Sequence, residues 1–498
     1  MENIAARLYS AAQVRELDRR AIEDCGVPGF TLMQRAALAA WRTARARWPE
    51  LRAVTVLCGP GNNGGDGYEL ARLAITDGCT VQVLECEDLP RRGDALTART
   101  AWLAVGGLQR WSATSAEALL VADLIVDALY GIGLSRAPEG ETADAIVAAN
   151  AAHANGVAVL ALDIPSGLIA DTGHVPGKVI NADLTVTFIA QKIGLLTGQG
   201  PAFAGHVELA TLDVPERVHD GLIPIAERID ASYLRRWLPR RSRTGHKGDH
   251  GHVLLIGGDH GMLGAILLAG RAALRAGAGL VTIATRAAHA PLLAAAQPDL
   301  MVRGIESPEA LATLIARADV IAVGPGLGTD DWSRVMFDVA MAAALPTVVD
   351  ADALNLLAQQ ASPHRRDDWL LTPHPGEAGR LLGCSTAAVQ QDRIAAAQTL
   401  QTRYGGAVVL KGAGSLIADD EVLRLCPYGN PGMGVGGMGD VLTGISAAFL
   451  AQGLPLGIAA AAAVTAHAGA GDAVAIAGGE RGLIASDVVD ALRAQVNP

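Results

Sequence analysis

The sequence predicts an α/β protein with two domains, and three observations support this prediction. Its 498 residues exceed the usual length of one domain, which is about 100–200 residues. Half of the residues are hydrophobic and only 18% are charged, which excludes disorder or a coiled coil over most of the chain. Short apolar runs alternate with helical stretches along nearly all of it, the pattern of parallel sheets covered by helices on both faces.

The predicted strands fall into two groups separated by a polar stretch. The strands of the first group are Val54–Leu57, Val81–Leu84, Leu124–Val126, Val157–Leu162, Leu184–Phe188 and His206–Ala210. Those of the second are Val253–Ile256, Val320–Val323, Thr347–Val349, Trp369–Leu371 and Val408–Leu410. Residues 215–230 between them are polar and contain two prolines, which is typical of a linker. We therefore expect one domain over residues 1–220 and a second over residues 225–498.

Charge and composition exclude several classes of protein. The net charge of −11 argues against nucleic acid or an anionic membrane as the main partner. It leaves anionic small ligands open, because backbone N–H groups bind phosphate without net positive charge. The six cysteines form no CxxC motif and no export signal precedes the first domain, so we expect a cytoplasmic protein with reduced thiols. An uncharged stretch between Asp440 and Asp472 is interrupted by Gly453-Leu454-Pro455, which predicts two buried helices rather than a membrane span.

A glycine-rich loop follows the first predicted strand. Gly59, Gly61 and Gly64 form a GxGxxG pattern before a helix predicted over Tyr68–Thr76. This pattern is typical of dinucleotide-binding folds, and a tight structural turn explains it nearly as well. In the first interpretation, a carboxylate at the end of the next strand, Glu85 or Glu87, would hold a ribose.

Three side chains distinguish this loop from an ordinary dinucleotide loop. The carboxylate of Asp66 would repel a pyrophosphate, and Asn62 and Asn63 add amide oxygens and donors. The loop therefore indicates a site for a polar ligand or a cation as well as for phosphate.

Polar residues also follow two later strands of the first half. Asp127 comes after Leu124–Val126, and Asp163 and Ser166 come after Val157–Leu162. A single Asp at a strand end is usually a helix cap or a turn former, but ligands of α/β proteins bind where such ends meet. The oxygens of Asn63, Asp127 and Ser166 suit an alkali or alkaline-earth ion. Asp163 is a candidate for general acid–base catalysis.

Three motifs occur in order in this half: GPGNNGGDG, DALYGIG and DIPSGL. Together they resemble the YjeF N-terminal domain, the NAD(P)H-hydrate epimerase family, and the resemblance covers residues 1–215. It implies a Rossmann-like three-layer fold, a potassium ion held by Asn63, Asp127 and Ser166, and proton transfer by Asp163. Lys192 matches a lysine of the family. The implied substrate-binding residues are Asn62, Asn63, Gly64, Gly65, Asp66, Gly131, Ile132, Gly133, Leu134, Ser135, Arg136, Ala137 and Asp163.

A longer glycine run in the second half directly precedes a predicted helix. The run reaches Gly437, and the free N–H groups of the helix that begins there form an anion hole. Asp440 in the first turn would repel a bound phosphate, although the helix dipole alone also favours an acid at this position. Beside the glycines, Asp440 is better explained as a base that activates a hydroxyl for attack on a terminal phosphoryl group.

Six motifs accompany this helix: HKGDHGHVLLIGG, GPGLG, VVDADALN, LTPHPGE, KGAGS and GGMGDVLTG. Together they resemble the ADP/ATP-dependent NAD(P)H-hydrate dehydratase, the ribokinase-like YjeF C-terminal domain, over residues 230–498. The resemblance implies that the hydrated nicotinamide nucleotide contacts Ala265, Gly326, His374 and Asp440. It implies that ADP or ATP, with Mg²⁺, contacts Lys411, Gly412, Ala413, Gly414, Ser415 and Gly439.

The two resemblances predict a bifunctional repair enzyme. The first domain would interconvert the R and S epimers of NADHX and NADPHX, and the second would dehydrate the S epimer, releasing AMP and phosphate when ADP is used. The family also implies a homo-oligomer. Two alternatives remain: a small-molecule kinase that stops at a phosphorylated product, and a first domain that only binds a ligand. Neither the preferred nucleotide nor the preferred hydrate follows from the sequence.

Overall fold

The computed structural model describes residues 6–87, 89–361 and 364–498. The chain divides into two compact units, Met1–Glu227 and Arg228–Pro498.

The first unit is built on a seven-stranded sheet. The strands of this unit are β1 (Arg7–Tyr9), β2 (Ala53–Cys58), β3 (Thr80–Glu85), β4 (Leu108–Arg110), β5 (Leu124–Ala128), β6 (Ala158–Leu162), β7 (Leu184–Phe188), β8 (Gln191–Lys192), β9 (His206–Ala210) and β10 (Ala226–Arg228). The order β4-β3-β2-β5-β6-β7-β9 is parallel throughout. Strand β1 lies outside this sheet, antiparallel to β10 and parallel to β8.

Helices cover both faces of this sheet. They are α1 (Ala11–Arg19), α2 (Gly29–Arg47), α3 (Asn62–Thr76), α4 (Gly93–Leu103), α5 (Ala116–Leu120), α6 (Gly140–Ala154) and α7 (Gly200–Phe203), and a π-helix over Arg20–Asp24 follows α1. Side chains of one strand alternate between two cores: Val126 packs with α2 and α3, whereas Ile125 packs with α6. The unit is therefore a three-layer α/β/α structure.

The second unit contains a longer sheet. Its strands are β11 (His252–Ile256), β12 (Leu280–Thr285), β13 (Met301–Gly304), β14 (Val320–Val323), β15 (Thr347–Val349), β16 (Trp369–Leu371), β17 (Ala407–Leu410), β18 (Ser415–Ala418) and β19 (Leu423–Cys426). The order β13-β12-β11-β14-β15-β16-β17 is parallel, and β18 and β19 continue it as antiparallel strands.

The helices of the second unit are α8 (Tyr233–Trp237), α9 (Leu263–Arg275), α10 (Ala290–Ala296), α11 (Pro308–Ile315), α12 (Asp331–Met341), α13 (Ala351–Ala358), α14 (Pro375–Leu382), α15 (Thr386–Gln391), α16 (Arg393–Tyr404), α17 (Met438–Ala451), α18 (Leu456–Gly478) and α19 (Ala485–Gln495). The largest core of this unit lies between the sheet and the helices α9, α17, α18 and α19. Helix α18 is long and apolar enough to cross a membrane, but 67% of its most apolar window is buried inside the protein. The uncharged stretch thus forms two helices, as its Gly-Leu-Pro interruption predicts.

The predicted fold class and every predicted strand are confirmed, whereas the predicted start of one helix is wrong. Helix α3 begins at Asn62, six residues before the predicted start, so most of the glycine-rich segment is helical. Glycine is needed there because the helix packs against backbone: a Cβ on Gly64 would lie 2.1 Å from the carbonyl oxygen of Gly59. One on Gly67 would lie 2.6 Å from the Cβ of Ala128. The glycines bring the helix onto β2 and β5 instead of forming a long loop.

Candidate active sites

A cavity of about 510 Å³ lies in the first unit, at the carboxyl edge of its sheet. The predicted site residues in its wall are Asn62, Asn63, Asp66, Gly131, Ile132, Gly133, Leu134 and Asp163. Gly64 and Gly65 pack behind that wall, where a Cβ on Gly65 would lie 2.5 Å from Met33 Cε. Among the described residues, the wall does not include Ser135, Arg136 or Ala137, which follow Leu134 in the same loop.

Asp163 is held in this cavity by a buried lysine. Its backbone φ is +67°, an uncommon conformation for a residue other than glycine that often marks functional sites. Its Oδ1 accepts a hydrogen bond from Lys192 Nζ at 2.5 Å, and the lysine side chain is fully buried. Lys192 Nζ also donates to Thr187 Oγ1 (3.0 Å) and to the carbonyl of Phe188 (2.8 Å). These bonds use all three N–H groups of the ammonium, so Lys192 positions Asp163 and has no donor left for a ligand.

Of the residues predicted to hold a cation, Asp127 and Ser166 contact each other, and Asn63 lies beside Asp163. Burial raises the pKa of Asp127 to about 6, although its carboxylate accepts bonds from Ser166 Oγ (2.6 Å) and Ser166 N (2.7 Å). Both amide atoms of Asn63 are buried with no hydrogen-bond partner in the described structure. A Cβ on Gly131 would lie 3.6 Å from Asn63 Cβ and 3.3 Å from Asp163 Oδ2, which places Asn63 beside the acid.

Asp66 lies in the cavity wall, whereas Glu85 and Glu87 are bonded to other side chains. Burial raises the pKa of Asp66 well above its usual range, and the negative charge of Asp163 adds to this. Glu85, which the dinucleotide interpretation assigns to a ribose, instead accepts bonds from Tyr68 Oη (2.6 Å) and Arg99 Nε (2.6 Å). Glu87 is bonded to the hydroxyl of Tyr130. Both glutamates are thus engaged inside the protein.

In the second unit, the partly exposed Lys411 and the buried Asp350 form an ion pair next to the start of helix α17. Lys411 Nζ is 2.7 Å from Asp350 Oδ1, and Thr443 Oγ1 donates to Asp350 Oδ2 at 2.7 Å. Glu377 Oε2 lies 3.8 Å from the same lysine nitrogen. A Cβ on Gly439 would lie 3.2 Å from Lys411 Nζ, so the first turn of the helix rests directly on the pair.

Asp440 extends from this first turn, one helical turn before Thr443. Its pKa is raised to about 7, mainly by burial and next by the charge of Asp350, while the charge of Lys411 opposes the shift. A carboxyl group with a pKa near neutrality is well matched to accept a proton from a hydroxyl under physiological conditions. The N-cap residue Gly437 has φ +92°, so the glycine run turns sharply into the helix and leaves its first N–H groups bare.

The other predicted residues of this unit lie around the same strand exits. His374 caps helix α14: its Nδ1 accepts from Gly376 N at 2.9 Å, and Glu377 Oε2 accepts from its backbone N–H at 2.7 Å. Burial lowers the pKa of His374, which favours a neutral imidazole. Gly326 and Ala265 are neighbours, since a Cβ on the glycine would lie 3.1 Å from the alanine Cβ.

The predicted nucleotide-binding segment Lys411–Ser415 forms the turn between β17 and β18. Gly412 N donates to Ser415 Oγ (3.2 Å), and this hydroxyl donates back to the carbonyl of Gly412 (2.9 Å). Ala413 and Gly414 complete the turn. The buried Arg393 supports it from below by donating to the carbonyl of Lys411 at 3.3 Å. The turn is therefore fixed at the lysine that carries the ion pair.

Sequence reasoning did not assign a role to Asp350, Glu377 or Thr443. Asp350 and Glu377 follow strands β15 and β16, so the strand-exit criterion that selected Asp163 could have found them. Thr443 carries only its helical spacing from Asp440 as a signal. Within the part of the chain that the structure describes, no three or more His, Cys, Asp or Glu side chains form a metal-binding group.

Both halves of the chain match known families. The family model described as NAD(P)H-hydrate dehydratase matches residues 253–493, and that of the YjeF-related protein N-terminus matches residues 29–194. A relative from Coxiella burnetii, the bifunctional NAD(P)H-hydrate repair enzyme Nnr, is 46% identical over 99% of both chains. Its namesake from Escherichia coli is 44% identical over 100% of this chain and 95% of its own.

The chain belongs to the bifunctional NAD(P)H-hydrate repair enzymes. The family and the bifunctional enzyme predicted from the sequence are thereby confirmed. Among solved structures, a ribokinase-like superfamily protein from Enterococcus faecalis superimposes with a TM-score of 0.51 at 31% identity, covering 54% of this chain and 95% of that one. This agrees with the predicted ribokinase-like fold.

Proposed function

We propose that the two sites divide the repair of hydrated nicotinamide nucleotides between them. The first unit interconverts the R and S epimers of NADHX and NADPHX, and the second unit dehydrates the S epimer at the expense of ADP or ATP. The observation that carries this proposal is the position of Asp440, an acid with a raised pKa in the first turn of a glycine-opened helix that rests on the Lys411–Asp350 pair.

In the dehydratase site, Asp440 removes the proton from the ring hydroxyl of the hydrate. The hydroxyl oxygen then attacks the terminal phosphoryl group of the nucleotide, and the bare N–H groups at the start of α17 stabilise the developing charge. Phosphate leaves as the ring nitrogen supplies its electron pair, and the adjacent ring carbon then loses a proton to water, which restores the ring double bond of the reduced nicotinamide. With ADP, the products are AMP and phosphate.

The remaining residues of this site hold the two ligands. Ala265, Gly326 and His374 contact the hydrated nucleotide. Lys411, Gly412, Ala413, Gly414, Ser415 and Gly439 contact the adenine nucleotide. A Mg²⁺ ion would be bound mainly by the phosphate oxygens, because the described side chains offer no preformed cluster of acids and histidines for it. Such an ion would neutralise phosphate charge during the transfer.

In the epimerase site, Asp163 transfers a proton during epimerisation at the hydrated ring carbon, while Lys192 fixes the orientation of Asp163. The loops Asn62–Asp66 and Gly131–Ala137 would hold the hydrated nucleotide. The unpartnered amide oxygen of Asn63, with the oxygens of Asp127 and Ser166, fits a potassium ion, since weakly charged oxygen donors suit alkali ions. This ion would order the two loops around the substrate.

One assay separates this proposal from its alternatives. Equal amounts of both epimers are incubated with the enzyme, ADP and Mg²⁺, and reduced nicotinamide, AMP and phosphate are followed together. We expect recovery of the whole mixture, with one phosphate released per nicotinamide. A phosphorylated hydrate that persists would support the kinase alternative. Recovery of only half the mixture, until spontaneous epimerisation completes it, would support a first unit that merely binds a ligand.

That the protein is a cytoplasmic homo-oligomer without a nucleic-acid or membrane partner stays a prediction.

A further inference from the structure

The cavity of the first unit contains a carboxyl group that the proposed mechanism leaves unused. Asp18 lies on α1 and lines the cavity together with Val14, Ile22 and Asp163. Because residues four apart share one face of a helix, Val14, Asp18 and Ile22 present a single stripe to the cavity. Asp18 is the acid of that stripe, and it has no hydrogen-bond or ion-pair partner among the residues described.

The local structure places Asp18 close to the ion pair of Asp163. Strand β1 pairs in parallel with β8, and Tyr9 lies opposite Lys192 in this pairing. Helix α1 starts directly after β1 with Ser10 as its N-cap, so it runs from the strand that borders the lysine. Two residues after Asp18 the helix widens into the π-helix Arg20–Asp24, a feature that is frequent at functional sites.

The charged surroundings of Asp18 suit an acid–base group. Burial raises its pKa to about 6; the charge of Lys192 opposes this shift and that of Asp163 adds to it. Its interaction with Asp66 is also repulsive, since Asp18 contributes to the raised pKa of that buried acid. The titratable groups that share the cavity with Asp18 are Arg15, Asp66, Asp94, Tyr130, Asp163 and Lys192.

Inversion at the hydrated carbon needs more than Asp163 alone. The hydroxyl must leave with a proton supplied to it, and a water molecule must lose a proton as it adds to the other face. Asp163 accepts hydrogen bonds from Lys192 and from the backbone of Phe188, so it is an acceptor in this structure. Lys192 has no spare N–H group. The missing donor must come from another side chain in the wall, where Asp18 and Asp66 are the acids with a raised pKa. Asp66 is buried, whereas Asp18 is only half-buried and is therefore the more accessible of the two to a substrate hydroxyl.

We infer that Asp18 is the second acid–base residue of the epimerase site and works as the partner of Asp163. In one direction, Asp18 gives its proton to the departing hydroxyl, the carbon–oxygen bond breaks, and the electron pair of the ring nitrogen stabilises the cation. Water then adds to the opposite face and gives its proton to Asp163. In the reverse direction the two carboxyl groups exchange roles, so the active enzyme carries one proton on the pair. This inference rests on the proposed epimerase function of the unit.

The test compares Asp18→Asn with Asp144→Asn in the full-length enzyme, using separated epimers of NADHX. Asp144 is exposed on helix α6 of the same unit, outside the cavity wall, and serves as the matched control for loss of one negative charge. We expect Asp18→Asn to lower the kcat of epimerisation about 100-fold with KM within about twofold, the loss typical of a missing general acid. Asp144→Asn should keep the wild-type kcat and pH profile.

The pH profile separates a proton-transfer role from a structural one. Because the active form keeps one proton on the carboxyl pair, wild-type epimerisation should fall in both directions as the pH rises above about 6. This alkaline limb should be absent from the residual activity of Asp18→Asn, whose dehydratase activity in the other unit should be unchanged.

The outcomes are distinct. A wild-type enzyme without epimerase activity would contradict the proposed function, whereas an Asp18→Asn enzyme with wild-type kcat and pH limb would overturn only the role of Asp18. Should Asp18→Asn fail to fold, Asp18→Glu decides: its displaced carboxyl should lower kcat at least about fivefold and retain the alkaline limb. An unchanged kcat in Asp18→Glu would overturn the inference.

Discussion

Lys411 Nζ lies 2.7 Å from Asp350 Oδ1, and this partly buried pair supports the helical turn that carries Asp440. Asp350 therefore acts on Asp440 in two ways. It anchors the lysine below the helix, and its negative charge helps to raise the pKa of the neighbouring acid. The pair thus links the position of the proposed base to its acidity.

The pH dependence of dehydration tests this link. Asp440 acts in its deprotonated form, so kcat/KM for the S epimer should rise with pH through a midpoint near 7 and then level off. Asp350→Asn removes a like charge and frees Lys411 to face Asp440, so the midpoint should move to lower pH. The exposed Asp367→Asn serves as the control and should leave the midpoint in place. A flat or falling wild-type profile would contradict the assignment of Asp440 as a base.

Asp163→Asn should remove epimerisation and spare dehydration. An amide cannot accept the proton, so the rate of epimerisation should drop by about 10²–10⁴. Dehydration of the purified S epimer should continue at the wild-type rate, and the R epimer should be repaired only as fast as it epimerises spontaneously. Separation of the two epimers by chromatography over time measures both rates. Unimpaired repair of the R epimer would refute this role for Asp163.

Lys192→Met should destabilise the first unit, because it leaves the carboxylate of Asp163 in its buried site without its cation. The loss of one partner of a buried pair typically costs about 3–5 kcal/mol in the free energy of unfolding. Lys178→Met, at an exposed position, should change it by less than about 0.5 kcal/mol. Denaturant unfolding measures these values. The double variant Asp163→Asn/Lys192→Met should regain part of the loss, and no recovery would argue against the pair as its cause.

Replacement of a loop glycine by alanine should reduce stability much more at Gly59 than at Gly61. A Cβ on Gly59 would lie 1.8 Å from the carbonyl oxygen of Leu129, so Gly59→Ala must displace backbone and should cost more than about 3 kcal/mol. A Cβ on Gly61 has no atom within 4 Å, so Gly61→Ala should cost only about 1 kcal/mol, the effect of alanine at the N-cap of α3. Thermal unfolding of the two variants measures the difference, and equal melting temperatures would contradict the close packing of Gly59 on the backbone of Leu129.

The sequence was sufficient to predict the sheets and one acid at each proposed centre. Apolar β-branched runs located the strands, polar residues at their ends selected Asp163, and the glycine run before a helix selected Asp440. The start of helix α3 was missed because a GxGxxG segment fits either a loop or a helix that touches backbone, and only the packing on Gly59 decides between them. This information is absent from local composition.

The partners of these acids depend on contacts between distant segments. Lys192 follows Asp163 by 29 residues, and Asp350 precedes Lys411 by 61, so neither pair has a helical or strand spacing to reveal it. Asp18 reaches the cavity only because β1 pairs with β8. A backbone detail also escapes the sequence: Ala351, directly after Asp350, has φ +48°, a strained conformation for a residue with a side chain.

The role of Asp440 as the base is tested most directly by the turnover of Asp440→Asn with purified S-NADHX, ADP and Mg²⁺. We expect recovery of nicotinamide absorbance and release of phosphate both to fall by at least about 100-fold, because no base remains to take the hydroxyl proton. In the same sample, epimerisation of the S hydrate to the R form should proceed at the wild-type rate. Full ADP-driven dehydration by Asp440→Asn would contradict the role of Asp440 as the base that activates the ring hydroxyl.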